Sequence, residues 1–156
     1  MTTLNRRQGH EMEFPRLLGE RLCLDFANSV ESPLEVPEEF LTDFAAVARW
    51  GRYVGLLDDG QVEAAVRVEY AQPELAARLH DEALALRTTI QRVFLATADG
   101  REVGREDLAG LRRAYLQGLQ HCQLALQDGH ATWIWAGSGK ADPVEFVVWR
   151  VVQSAI

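Results

Sequence analysis

Apolar residues recur every three or four positions along most of the chain, which is the spacing of one face of an α-helix. This pattern predicts four helices, over residues 38–54, 61–70, 73–98 and 105–122. The stripe over 73–98 is the clearest, and Pro73 suits the first turn of a helix, which needs no backbone donor there. Asp142 followed by Pro143 is a typical helix start, so a last helix is expected from there to residue 156.

Before that last helix, the period changes to that of a strand. Leu124 and Leu126 alternate with polar residues, and residues 132–135 are mostly branched or aromatic. Asp128 and Gly129 between them form a two-residue turn signal. The sequence therefore predicts a β-hairpin here.

The apolar pattern of residues 14–30 is compatible with both a strand and a helix and does not decide between them. As a strand, the segment would place Leu22, Leu24 and Phe26 on one face. As a helix, it would place Leu22, Phe26 and Val30 there. We expect a short extended entry followed by a helical turn.

The fold class expected from these elements is mainly α, a multihelical bundle with a small β-hairpin. A chain of 156 residues has the length of one domain, taken as 1–156, with a disordered start over about 1–12. Loops are expected over 32–37 and 137–140, where proline or glycine interrupts the pattern.

Composition and charge limit the macromolecules that the chain can bind and the cellular compartment in which it is expected. The net charge of −7 opposes the positive field that phosphate binding needs, so these residues are not expected to grip DNA alone. No apolar run approaches the roughly 18 residues of a membrane span, and the polar first ten residues do not resemble a secretory signal. Cys23 and Cys122 lie in apolar surroundings without disulfide spacing. We expect a cytoplasmic protein with no membrane partner.

The first candidate site combines Asp25, Asn28 and Arg87. The aspartate and the asparagine lie three positions apart in an apolar segment, where a carboxylate needs a charged or hydrogen-bonding partner. Arg87 falls at the edge of the apolar stripe of its helix, about 80° from the centre. In one interpretation, Arg87 makes a structural ion pair with Asp25, and Asn28 caps a turn. In the other, Asp25 fixes Arg87, which faces a cavity with Asn28 and receives a small anionic or amide-bearing ligand.

The second candidate is Trp135. It shares one face of the predicted strand with Trp133, and two indoles on one face either fill the core or form the wall of a pocket. The histidines and cysteines show no metal-ligand spacing, and neither a nucleophile elbow nor a phosphate-binding loop occurs. We therefore expect no metal, no cofactor and no enzymatic activity.

Several segments, taken in order, resemble one known family. They are the run from Leu18 to Val30 with its Leu-Asp-Phe-Ala-Asn core, Trp50 with Gly55-Leu56-Leu57, Ala85-Leu86-Arg87, and Trp133-Ile134-Trp135. Together they resemble the ABATE domain, the N-terminal domain of stress-induced bacterial transcription regulators that usually carry a CGNR-type zinc finger behind it. The resemblance implies a helical fold with a small hairpin, acting as a sensor or regulatory module.

Carried over residue by residue, the resemblance implies that Asp25, Asn28, Arg87 and Trp135 form a ligand pocket or its scaffold. It also implies DNA contact through the zinc finger, but neither a four-ligand zinc site nor a CGNR motif occurs in this sequence. We therefore expect DNA contact only through a zinc finger that this chain lacks.

The leading hypothesis is a ligand-sensing regulatory domain with an unidentified small-molecule ligand. The four site residues would supply the contacts, and binding would shift the last helix. The alternative is an interaction module, in which Phe146, Trp149 and the valines of the last helix are exposed and form a homodimer or dock a partner.

Overall fold

The computed structural model describes residues 14–17, 20–31, 38–135 and 142–156. In this part of the chain, six helices and two small antiparallel sheets make up the fold. The elements in chain order are α1 (Leu22–Ala27), β1 (Val30–Glu31), β2 (Glu38–Glu39), α2 (Phe44–Tyr53), α3 (Asp59–Ala71), α4 (Pro73–Ala98), α5 (Arg105–Leu119), β3 (Cys122–Gln127), β4 (His130–Trp135) and α6 (Pro143–Ala155). The expected fold class, mainly α with a small hairpin, is confirmed. None of these helices combines the length and the hydropathy needed to cross a bilayer.

Some expectations concern residues outside the described ranges. They are the disordered start over 1–12 and the loops over 32–37 and 137–140. The segment around 14–30 is described in large part, and there the extended Arg21 is followed by the short helix α1, as expected.

The predicted helices are present, and two of their ends need correction. α4 has the predicted bounds. α2 begins at Phe44 rather than at residue 38, because Glu38 and Glu39 pair with β1 as the strand β2. α5 ends at Leu119, and Cys122, which we expected in that helix, begins the hairpin instead. Both corrections come from strand pairing, which the helical period of these segments does not reveal.

Aspartates fix where three of the helices begin. The carboxylate of Asp43 accepts a hydrogen bond of 2.6 Å from a first-turn backbone N–H of α2. At α3, Asp58 and Gln61 form a capping box, in which each side chain accepts from the backbone N–H of the other residue. At α6, the carboxylate of Asp142 accepts a hydrogen bond of 2.8 Å from the Val144 N–H. Asp142 directly precedes Pro143, as the sequence predicted.

β3 and β4 form the predicted hairpin, in a register that pairs Cys122 with Trp135. Asp128 (φ 50°) and Gly129 (φ 80°) both have positive φ, as a two-residue type I′ turn requires. The end nearest α5 and α6 is partly buried, whereas apolar side chains toward the turn are exposed: Leu124, Leu126 and Trp133.

α6 lies in the centre of the helices and packs against each of the other five. Val144, Val147 and Val151 are at most 1% exposed, and Trp149 is 3% exposed. The expectation that Trp149 and the valines of this helix form an exposed interface is therefore wrong, because the other helices already remove their apolar surface from water. Phe146 is only half-buried, against Trp135. A homodimer stays a prediction, without this surface to support it.

Two glycines let α6 approach its neighbours closely. A Cβ at Gly51 of α2 would lie only 2.5 Å from Cγ2 of Val147. A Cβ at Gly118 of α5 would overlap the indole ring of Trp149. Since carbon atoms pack at about 3.5–4.0 Å, neither position accepts a side chain without a shift of α6.

Replacing Gly118 by alanine tests this close approach. The added methyl group would overlap Trp149, and we expect Gly118→Ala to lower the free energy of unfolding by about 1–3 kcal/mol. Gly110→Ala, in the same helix, is the matched control, because its Cβ would lie 3.5 Å from the nearest atom, on Thr89. The control should raise stability by about 0.5–1 kcal/mol, since alanine is the better helix former. Urea denaturation followed by circular dichroism measures both, and equal stabilities would contradict the packing described.

Candidate functional site

Arg87 is 6% exposed, and its buried guanidinium contacts two polar side chains, those of Ser29 and Glu39. Arg87 forms a two-point ion pair with the carboxylate of Glu39, in which Nη1 lies 2.7 Å from Oε1. The same Nη1 donates to the backbone oxygen and to the hydroxyl of Ser29, both at 3.2 Å. We call Ser29, Glu39, His80, Arg87 and Gln91 the Arg87 cluster.

The Arg87 cluster holds the long helix α4 against the segment between α1 and α2. His80, Arg87 and Gln91 share one face of α4, because their spacings of seven and four residues are close to whole turns. His80 Nε2 lies 2.7 Å from the backbone oxygen of Leu41 and carries the proton, since a carbonyl only accepts. The Gln91 amide donates to the backbone oxygen of Ala27 at 2.7 Å. These bonds fix α1 and the β1–β2 sheet on α4.

The ion pair lowers the pKa of Glu39 from its ordinary value of 4.5. Partial burial is the largest single influence and raises this pKa, because it disfavours the charged form. The hydrogen bonds from Arg87 and from the Leu41 N–H, together with the electrostatic effects of Arg87 and His80, outweigh burial. Glu39 is therefore ionised in the folded protein at neutral pH.

The structure gives Arg87 a different partner from the one expected. We expected Asp25, but Glu39 makes the ion pair, because the pairing of β2 with β1 brings Glu39 beside α4. Asp25 is buried within α1, and Asn28 is exposed at the C-terminal end of that helix. That Asp25, Asn28 and Arg87 contact a ligand stays a prediction.

A cavity of about 220 Å³ lies between α4, α5, β4 and α6, and we call it the Trp135 cavity. Trp135 and Trp149 form part of its wall. Its polar and charged lining consists of Arg78, Glu82, Gln117, Gln120, His121 and Glu145. Asp25, Asn28 and Arg87 do not line it, so the structure separates Trp135 from the other predicted site residues.

Aromatic rings contact one another along the wall of the Trp135 cavity. The ring of Trp135 lies 5.4 Å from that of His121, at an angle of 23°, and 5.4 Å from that of Phe146, edge-on. Its centroid lies 6.2 Å from that of Trp149. The Nε1–H of Trp135 is buried and has no hydrogen-bond acceptor in the described part of the chain. Leaving such a donor without an acceptor costs about 1–3 kcal/mol.

The charged lining is concentrated where α4 and α6 meet the cavity. Arg78 Nη1 lies 2.9 Å from Oε1 of Glu82, so these two charges offset each other. Glu145 lies in the first turn of α6. Glu82 and Gln117 also line a neighbouring groove between α4 and α5, which makes the two spaces adjacent.

Sequence reasoning missed Glu39 and most of the lining of the Trp135 cavity. Glu39 carries no local signal, because its partner is 48 residues away in the chain. Gly118 does carry one, since a glycine inside a helical pattern often marks a close approach. His121 lacks metal-ligand spacing, but it lies directly before the hairpin and stacks on Trp135.

The chain matches a known family over nearly its whole length. A family model, ABATE, whose description is "Putative stress-induced transcription regulator", matches residues 20–156. The resemblance inferred from the sequence is therefore confirmed. No curated protein and no solved structure gives a significant match.

Removing Arg87 tests whether the Arg87 cluster stabilises the fold. Arg87→Ala leaves the partly buried carboxylate of Glu39 without its counter-charge, so we expect the free energy of unfolding to fall by about 3 kcal/mol. Arg67→Ala is the matched control, because the pair of Arg67 with Glu63 is exposed on both sides and contributes less than about 1 kcal/mol. Chemical denaturation of both variants measures the difference. If the two losses are equal, the Arg87 cluster is not the stabilising contact described.

The pH dependence of stability tests the charge state of Glu39. A carboxylate whose pKa is lowered by folding stabilises the protein above its unfolded pKa and loses that contribution as the pH falls through its folded pKa. We therefore expect the stability difference between the wild type and Glu39→Gln to be full at pH 7 and to shrink below about pH 4.5. Unfolding free energies at pH 3 to 7 measure it. A difference that stays constant over this range would show that the pair is not ionic.

Proposed function

The chain belongs to the ABATE family, and from this membership we propose that it is the ligand-sensing domain of a stress-induced transcription regulator in the cytoplasm. A small molecule binds in the Trp135 cavity and alters the position of α6. DNA would be contacted by the zinc finger of the family, because this chain has a net charge of −7 and repels the phosphate groups of DNA. We propose no catalytic activity for this chain.

The Trp135 cavity is the observation on which this proposal rests. Its wall combines two tryptophan side chains with a few polar and charged groups, which is the composition of small-molecule sites. A wider space of about 550 Å³ lies between α2 and α3 beside Tyr53. There Arg52 and Asp59 already pair with each other, and no tryptophan lines the wall, so we favour the Trp135 cavity.

α6 is the element through which binding would act on the rest of the molecule. Val144, Glu145, Val148 and Trp149 line the cavity on one side of α6, and the helix packs against all other helices. Packed helices move as units between discrete arrangements rather than deforming continuously. A ligand that prefers one position of α6 would therefore shift the population of the whole helical array.

The residues predicted from the sequence have different parts in this proposal. Trp135 contacts the ligand. Arg87 holds α4 to the β1–β2 sheet through Glu39, which leaves it a structural role. Asn28 and Asp25 lie with α1, away from the lining of the Trp135 cavity.

Filling the cavity tests the proposed function. We expect compounds from a metabolite library to raise the melting temperature of the wild-type chain, and Ala114→Phe to abolish that shift, because Ala114 lines the cavity. Leu116→Phe is the matched control, since Leu116 lies on the same helix, is exposed and does not line the cavity. A ligand at 100 times its Kd stabilises the folded state by about 2.7 kcal/mol, which thermal shift detects easily. Compounds that stabilise the wild type and Ala114→Phe equally would place the binding site elsewhere.

A further inference from the structure

The hairpin of β3 and β4 exposes an apolar face. Leu124, Leu126 and Trp133 are 60%, 79% and 45% exposed. They share one face of the hairpin, because Leu124 pairs with Trp133 and Leu126 lies two positions further along β3. The same face carries Trp135, which contacts Phe146 and Trp149 of α6, so the exposed part continues from a buried contact. A contiguous apolar group of this kind is typical of an interaction surface.

The outer edge of β3 is open to a further strand. In the part of the chain that the structure describes, β3 and β4 form a sheet of two strands, and no third strand covers either edge. The turn after Gln127 hydrogen-bonds that residue to β4, and bonded residues alternate along an antiparallel ladder, so Ala125 bonds to β4 as well. The backbone N–H and C=O groups of Leu124 and Leu126 therefore point outward from β3. They are available to a strand of another molecule.

β3 has none of the features that usually prevent edge pairing. Strand edges in native proteins carry charged side chains, prolines or bulges that block a further strand. Residues 122–127 include no Asp, Glu, Lys, Arg or Pro, and their register with β4 is one-to-one, without a bulge. The small sheet of β1 and β2 differs, because three of its four residues are glutamates. The edge of β3 is thus unprotected.

Charge favours a second copy of the chain at this edge. Each copy has a net charge of −7, so two copies repel each other wherever acidic surfaces meet. The strands of the hairpin, residues 122–127 and 130–135, carry none of that charge. A partner recognised by its positive charge would bind the acidic helices instead. The hairpin is therefore where two copies can approach each other most easily.

The sequence of β3 also suits pairing with itself. A strand that extends a sheet needs an uncharged edge and side chains that match the apolar face, and β3 supplies both through leucines at alternate positions. Two identical strands pair antiparallel about a two-fold axis, which is the commonest symmetry of homodimers. In such a pair, outward-pointing residues lie opposite one another, so the leucines of both copies share one face.

The size of the surface indicates a reversible contact. An aromatic side chain buries roughly 150–250 Å² when it is fully covered. Leu124, Leu126 and Trp133 are already partly covered, and they supply only part of the roughly 800 Å² per partner that stable interfaces bury. We therefore expect a dimer with a Kd of about 1–100 µM.

We propose that two copies of the chain form a two-fold symmetric dimer in which their β3 strands pair antiparallel. The two hairpins then make one four-stranded sheet, in the order β4, β3, β3 and β4. Leu124 and Leu126 of both copies pack together on one face of this sheet. The hairpin thus takes the place of the buried helix α6 as the surface for self-association. This inference goes beyond the sensing function and needs no ligand.

Sedimentation equilibrium of the full chain tests self-association. We expect the mass to rise from the 17.5 kDa of one chain toward twice that value between about 1 and 500 µM. Leu126→Lys should weaken the dimer at least about tenfold, because each copy then places a charge at the shared edge. Leu108→Lys is the matched control, since Leu108 is an exposed leucine of α5, outside the hairpin. Circular dichroism checks that both variants fold. Equal dissociation constants for the two variants would place the interface elsewhere.

Amide hydrogen exchange followed by NMR tests the strand pairing itself. The outward N–H of Leu124 gains an acceptor only in the dimer, so its exchange should slow at least about tenfold as the dimer forms. The N–H of Ala125 is the internal control, because it bonds to β4 within each copy and its exchange should change less. A dimer in which Leu124 gains no protection would overturn the pairing of the β3 strands.

The remaining outcomes identify other occupants of the hairpin. A chain that keeps the mass of a monomer at every concentration would overturn the proposed dimer. If protection of Leu124 then appears only with phosphatidylcholine vesicles, the exposed leucines and Trp133 face a lipid surface instead. None of these results depends on ligand binding in the Trp135 cavity, so the proposed function stands or fails separately.

Discussion

The central position of α6 is the constraint on which the other helices depend. Most of its apolar side chains are buried, so each neighbouring helix must present a surface that fits them. At Gly51 and Gly118 that surface is bare backbone, because any side chain there would displace Val147 or Trp149. Burial of large apolar side chains is worth roughly 1.5–3 kcal/mol each, which outweighs the cost of about 1 kcal/mol for a glycine within a helix. The sequence thus gives up helix propensity at two positions to gain close packing.

The contact of Trp149 with Gly118 also involves the candidate site. With its ring set against α5, Trp149 contacts Trp135 of the hairpin and lines the cavity. The short hairpin gains from this contact as well, because an isolated pair of strands is marginally stable in water. Its inner end is held by His121, Phe146 and Trp149 around Trp135. Fold and cavity therefore share the same aromatic contacts.

The sequence could predict those parts of the structure that depend on local chemistry. Pro73 and the apolar stripe of α4, the capping aspartate before Pro143, and the turn at Asp128 and Gly129 are all decided within a few residues, and each is present as expected. Family membership was also visible from short segments in order. These features required no knowledge of which elements meet in space.

The candidate site depends on contacts between distant elements, which the sequence alone did not reveal. The sequence indicates that Arg87 needs a carboxylate partner. That the partner is Glu39 and not Asp25 depends on the pairing of β1 with β2, and these two-residue strands are too short to show a strand period. Trp135 could be recognised as a wall residue, whereas its companion Trp149 was expected on the surface. A helical pattern with apolar residues on most faces fits a central helix, and α6 has this pattern.

The separation of Arg87 from the Trp135 cavity has a consequence for how regulation can work in this fold. α4 takes part in both sites: residues near its start line the cavity, and Arg87, in its second half, holds the β1–β2 sheet. The partly buried, two-point ion pair of Arg87 with Glu39 fixes the middle of this helix. The first half of α4, which lines the cavity, carries instead the exposed ion pair of Arg78 with Glu82. An exposed ion pair is weak and restrains the helix less. Under the proposed function, we therefore expect movement at the α6 side of α4, while the Arg87 cluster stays in place.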